Sequence, residues 1–466
     1  MRTAFLCLAA FAQLALNAVS ADPINIPLYK RSDSGAIYKA AGKALENGVL
    51  AGKVKIGNPP QEFTVAFDTT TGYSWVRGSR CKTKNCRGRC SYYALKSSDV
   101  VSTGKKFSVE YGDSCVDTHV YLDTFEFSNL TVKNMPFGGA YRMSGFANGF
   151  DGYLGLGRSV DFNFTKIRST ASNSLSKRDV TLPDSAFVST AFQQGSGITS
   201  AQFGIYTTST NAGFDQSGTT PVTSNTGNIA NTNTTPPPGS NINTNTTTTD
   251  TTVDTSGSVT DGGFGALTKR NNHAADTEEE EPAGYLILGG VDKSIIKGKM
   301  EYIRLADNPG AKAKNWDVCI RHASFGPLRF RQQPNAIASV STSTSFISMP
   351  PDQADAFHAK FGGQYQPSKR NYAIKCSKAA ELPLLKMTLE DHIVELPAKY
   401  WIAVVDADRD CCETKITRGN SERDWVLGTS LINAFYTSFD PENEAIGLAI
   451  KKGHSNDGLR VYKKSH

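Results

Sequence analysis

The 466-residue chain has almost no long apolar run: only residues 5–16 are apolar enough to interest a bilayer, well short of the roughly 20 that a spanning helix needs. An integral membrane segment is therefore not expected. Charge of one sign is also lacking. The balance of 50 basic and 44 acidic residues leaves a net charge of only +6, read as spread along the chain without a basic stripe, so nucleic acid is not an expected partner. The seven histidines, at 119, 273, 322, 358, 392, 454 and 466, show neither His-x-x-x-His nor mixed Cys/His spacing. They are read as surface residues, and no metal is expected. There is no Gly-x-Ser-x-Gly elbow for a serine hydrolase, and the glycines at 262–265 lack the flanking strand and helix of a phosphate loop. No cofactor is expected.

What is present begins with an address. Arg2, the apolar run at 5–16 and the small residues Ala18-Val19-Ser20-Ala21 have the three regions of a secretory signal peptide, assigned to residues 1–21. Asn129, Asn163, Asn233 and Asn245 each open an Asn-x-Ser/Thr sequon that a lumenal enzyme would glycosylate. Apart from Cys7 in the leader, the cysteines form an even set, Cys81, Cys86, Cys90, Cys115, Cys319, Cys376, Cys411 and Cys412, which fits disulfides better than a metal knot in an oxidising compartment. The polar, basic C-terminus lacks a lipid-anchor signal. Secretion is expected, with a vacuolar destination as the alternative.

Composition divides the chain. Residues 207–283 are rich in Asn, Thr, Ser and Gly and poor in large apolar side chains, too little to offset ordering entropy, and are read as a disordered insert. On either side lie similar masses, 48–206 and 284–450, preceded by a short segment at 22–47 and followed by a basic tail at 451–466. Phe63, Val65 and Phe67 alternate with Glu62, Thr64 and Ala66, and Phe107, Val109 and Tyr111 with Lys106, Ser108 and Glu110. This period-two pattern predicts strands with one wet face, while helical patterning is confined to short runs such as 352–360; the class is mainly β. Lys30-Arg31 and Lys269-Arg270 are candidate dibasic processing sites.

One ordered run carries more than pattern. Gly57-Asn58-Pro59-Pro60-Gln61, an alternating strand, Asp68-Thr69-Thr70-Thr71-Gly72 and then Trp75-Val76 follow one another, with Phe107 to Asp113 and Asp151-Gly152-Tyr153-Leu154-Gly155-Leu156-Gly157 downstream. The second half holds Leu286-Ile287-Leu288-Gly289-Gly290, Trp425-Val426-Leu427-Gly428, Tyr436 to Asp440 and Ile446-Gly447-Leu448-Ala449. The whole resembles the pepsin-like aspartic peptidases, as a secreted fungal-type member. That resemblance implies two β-barrel lobes with a cleft between them, a pro-segment within 22–47, a monomer, and a polypeptide substrate or protein ligand in the cleft.

It also implies a pair of aspartates, one from each lobe. Two carboxylates about 3 Å apart share a proton, one acting as general base on a water while the other assists the carbonyl. Asp68 supplies the first. Where the second belongs, the sequence reads Val340-Ser341-Thr342-Ser343, so Ser341 stands at the second Asp position. A serine hydroxyl cannot accept the water's proton, and a lone Asp68 is expected to be ionised at neutral pH. Both loops also lose their glycine, to Thr70 and Ser343, which predicts a second disturbance. Trp75, Tyr111, Gly112 and Thr71 match the family's substrate-side positions. The pairing expected is Cys81 with Cys86, Cys90 with Cys115, and Cys376 with Cys411 or Cys412, leaving Cys319 for the other. The resulting expectation is an aspartic-type endopeptidase relative with an incomplete dyad that binds polypeptide. The alternatives are a weakly active acid endopeptidase and an inhibitor or decoy of another secreted hydrolase.

Overall fold

The computed structural model describes residues 49–111, 114–127, 130–146, 149–158, 185–207, 284–307 and 315–465, together with the backbone of 24–28. The leader, the four sequon asparagines, Gly112 and the pairs at 30–31 and 269–270 lie outside the described residues. So does the insert beyond Thr207, while the described residues on its two sides form one compact unit.

That unit is mainly β. A seven-stranded sheet runs in the order Ala51–Ile56, Gln61–Asp68, Gly152–Gly155, Ser74–Arg77, Leu130–Ser144, Ser114–Phe127, Val101–Tyr111, and it curls back on itself because Ala51–Ile56 also pairs with Ser114–Phe127. In the second half a larger sheet places Ile347–Met349, Trp425–Leu427, Ile337–Val340 and Asp317–Phe325 side by side, with a four-stranded sheet built from Gln364–Gln366, Asn371–Lys375, Cys411–Thr414 and Ile402–Asp406. A six-stranded sheet draws on both halves. Its order is Ile24–Leu28, Gly284–Leu288, Phe203–Thr207, Tyr436–Asp440, Ala445–Lys451, Ile296–Arg304.

The two halves repeat one local device. Gln61–Asp68 pairs parallel with Gly152–Gly155, which pairs antiparallel with Ser74–Arg77. Ile337–Val340 likewise pairs parallel with Trp425–Leu427, which pairs antiparallel with Ile347–Met349. Each device ends in a loop that leaves a parallel strand end, one starting at Asp68 and the other at Ser341.

Two sequence expectations change. Phe63, Val65 and Phe67 are buried as predicted, yet Ala66 and Asp68 on the opposite face are buried too, because Ala66 packs into a second apolar cluster with Tyr73, Trp75, Phe146 and Tyr153. That strand is wet only at its start. Two of the histidines are not surface residues: His392 is buried, and His358 stacks on Tyr372 with Nδ1 bonded to Ala354 O and Nε2 to Thr414 Oγ1, each at 2.7 Å. Burial pulls the His358 pKa down to about 4. The basic tail is folded: Arg460–Lys463 pairs with His392–Leu396, and Asp457 is held by Lys399 Nζ at 3.0 Å and the Tyr400 hydroxyl at 2.7 Å. Residues 352–360 do fall in a helix, Pro351–Phe361.

Candidate functional site

Asp68 is the last residue of its strand and Ser341 follows directly on Ile337–Val340. The strand ends are fixed by main-chain bonds, Leu156 N to Asp68 O at 2.7 Å and Ser341 N to Leu427 O at 3.0 Å. Close backbone passage makes this possible. A Cβ at Gly157 would lie 2.3 Å from the Thr71 carbonyl carbon, and one at Gly428 would lie 2.3 Å from Phe346 O, so only glycine lets these segments pass under the loops.

The two loops then grip each other. Thr69 N donates to Thr342 Oγ1 at 3.0 Å and Thr342 N to Thr69 Oγ1 at 3.1 Å, while the two hydroxyls reach on to Val340 O and Phe67 O in the opposite loop's strand. All four groups are buried, where hydrogen bonds left unmade are expensive. Sequence reasoning missed this pair. The signal was the threonine that follows each site position, Asp68-Thr69 and Ser341-Thr342.

Between the loops lies a line of hydroxyls rather than a second carboxylate. Thr70 Oγ1 is 2.7 Å from Ser341 Oγ, which is 2.7 Å from Ser343 Oγ. The expected disturbance from the lost glycines takes another form. Neither Thr70 nor Ser343 adopts a left-handed backbone, and the amides still reach the site residues, Thr70 N to Asp68 Oδ1 at 2.8 Å and Ser343 N to Ser341 Oγ at 3.2 Å. The backbone approach survives; what changes is that side-chain hydroxyls fill the gap.

Asp68 is 2% exposed, and burial raises its pKa from 3.8 to about 6. The hydroxyl and amide of Thr70, the Tyr111 hydroxyl and the Thr71 amide oppose that shift without cancelling it. Only the Thr70 amide has full hydrogen-bond geometry, and Asp68 Oδ2 is buried without a partner. The cause of the raised pKa is therefore desolvation, not a repelling carboxylate. At neutral pH the group is ionised, as the sequence predicted, but in an acidic compartment it is largely protonated.

Above Asp68, Trp75 Nε1 donates to the Tyr111 hydroxyl at 3.1 Å. Phe146 and Tyr153, not anticipated from sequence, pack edge-on against Tyr111 at centroid distances of 5.7 and 5.1 Å. Thr71 Oγ1 accepts from Tyr73 N at 3.0 Å, so its hydroxyl braces the loop turn. Disulfides join Cys81 to Cys86 and Cys376 to Cys412. The expectation of four bridges is corrected to two among the described residues, since Cys90, Cys115, Cys319 and Cys411 are free thiols. Cys411 and Cys412 are neighbours on one strand and point to opposite faces, so only one can meet Cys376. No group of three potential metal ligands occurs among the described residues.

Paired parallel-strand loops meeting across two β lobes, with a carboxylate on one and a Trp–Tyr pair above it, define a pepsin-like fold. The chain belongs to the eukaryotic aspartyl protease family, whose model matches residues 50–277 and 265–451. It is similar to cathepsin D of Gallus gallus at 24% identity, over 85% of this chain and 79% of that protein. Cathepsin E of Mus musculus and a pregnancy-associated glycoprotein of Equus caballus are each 22% identical over 91% of this chain and 86% of theirs.

Proposed function

We propose that this protein is a family member of impaired catalysis that binds polypeptide in its cleft, within the secretory pathway or outside the cell. The observation that carries the reading is the hydroxyl line Thr70–Ser341–Ser343, which stands where the chemistry needs a second carboxylate and a water. Asp68 alone, protonated at acid pH, has no partner to divide general acid from general base. Losing one member of such a pair costs ~10²- to 10⁴-fold in rate, and groups that act as a unit cost more. Tyr111, hydrogen-bonded to the buried Trp75 and packed by the buried Phe146 and Tyr153, keeps a half-buried aromatic roof against which an extended peptide packs.

Calorimetric titration of a mixed-sequence peptide tests the binding half of this reading. The expected result is saturable binding that Tyr111→Ala weakens about tenfold, the order expected for an aromatic anchor. Equal affinity in the wild type and Tyr111→Ala would remove the cleft as the binding site.

A further inference from the structure

Read along the sequence the charge looks diffuse, but the fold gathers part of it. Between Asp68 and Asp99 there is no acidic residue, while Arg77, Arg80, Lys82, Lys84, Arg87, Arg89 and Lys96 fall in that interval. The fold then sorts them. Arg89 is buried and spent on carbonyls, with Nε on Asn85 O at 3.0 Å and a guanidinium nitrogen on Phe150 O, and Arg77 reaches Arg89 O. Arg80, Lys82, Lys84 and Arg87 are exposed, and no carboxylate among the described residues lies within ion-pair distance of them. They stand on a rigid loop. The Cys81–Cys86 bridge closes it, Thr83 Oγ1 donates to Met143 O at 2.9 Å, and Asn85 exchanges bonds with the Phe146 main chain at 2.7 and 3.1 Å. Phe146 is the same ring that packs against Trp75 and Tyr111. A cationic, pre-ordered loop is thus bolted to the wall of the cleft's aromatic roof.

We infer that this loop selects acidic polypeptide, engaging carboxylates of a chain that lies beneath the aromatic roof. The inference rests on the cleft reading above and adds the charge of its ligand. Four unpaired cations held by a disulfide lose little side-chain and loop entropy on binding, and they attract an anionic chain at a distance. Base stacking has no platform here, because no aromatic side chain lies between Arg80 and Arg87 and Tyr92 is buried, which disfavours single-stranded nucleic acid. Tyr93 and the fully exposed Leu95 follow the loop and make an anionic membrane the competitor to be tested.

Fluorescence anisotropy with two labelled peptides of equal length, one Glu-rich and one with Gln in place of each Glu, decides the matter. Wild type is expected to favour the acidic peptide about tenfold at low salt, with the preference erased by 0.5 M NaCl at a Debye length of about 4 Å. The variant Arg80→Gln, Lys82→Gln, Lys84→Gln, Arg87→Gln should keep its affinity for the neutral peptide and lose the preference, whereas Arg80→Lys with Arg87→Lys should retain it. A preference unchanged in the four-glutamine variant overturns the inference. So does capture of phosphatidylserine vesicles or heparin through these four side chains without any acidic-peptide preference. If Tyr111→Ala binds the acidic peptide like wild type and the neutral peptide binds neither protein, the cleft reading fails while the loop's selectivity stands.

Discussion

Asp68 is the residue whose environment most constrains the protein's behaviour with pH. Its carboxyl titrates at about 6 in the folded protein and near 3.8 when exposed. The folded state therefore binds more protons between those values. The contribution of Asp68 to stability is greatest below about pH 4, falls as pH rises through 6, and is flat beyond, a loss of up to about 3 kcal/mol. Buried His358, held neutral in the fold, works in the opposite sense over the same range, so the readout is a difference: from pH 4 to 7 the melting temperature of Asp68→Asn should rise relative to the wild type, and a constant difference would assign the effect elsewhere. Much of this residue-scale picture was legible, since Asp68 and Ser341 follow from their motifs. The raised pKa was not, because desolvation depends on what covers the second face of the strand. Nor was the role of Thr70 and Ser343, which in sequence are merely glycine positions lost and in space are the middle of a hydroxyl line.

At the scale of elements, strand alternation decides the cysteine chemistry. Cys412 is fully buried beneath the four-stranded sheet and meets Cys376, while its neighbour Cys411 faces the other way. Alkylation of the denatured, unreduced protein followed by peptide mass mapping should label Cys90, Cys115, Cys319 and Cys411 and spare Cys81, Cys86, Cys376 and Cys412. Labelling of only the latter set after reduction completes the test, and an intact Cys90–Cys115 bridge would contradict it. An even count in sequence pointed to full pairing, but counting is blind to the face on which a thiol lies. The same blindness made His358 look superficial, although it lies on the buried face of the helix Pro351–Phe361 and is stacked on Tyr372. Strand existence was legible from period-two alternation at Phe63–Phe67 and Phe107–Tyr111. The terminal strand Arg460–Lys463 was hidden by its charge, since an edge strand keeps its basic side chains in water.

At the scale of the whole molecule, two loops from opposite halves are locked by reciprocal threonine bonds, so the geometry of the site is held independently of whether catalysis survives. Trp316 Nε1 adds a further buried tie across the halves, to Leu156 O at 3.1 Å. A scaffold that keeps this alignment while replacing one carboxylate by a hydroxyl should be repairable. The most direct measurement is hydrolysis of a denatured protein at acid pH by the wild type, by Asp68→Ala, and by the combined variant Thr70→Gly, Ser341→Asp, Ser343→Gly. The prediction is turnover in the combined variant alone, with the wild type no faster than Asp68→Ala. Robust wild-type turnover that Asp68→Ala abolishes would contradict it.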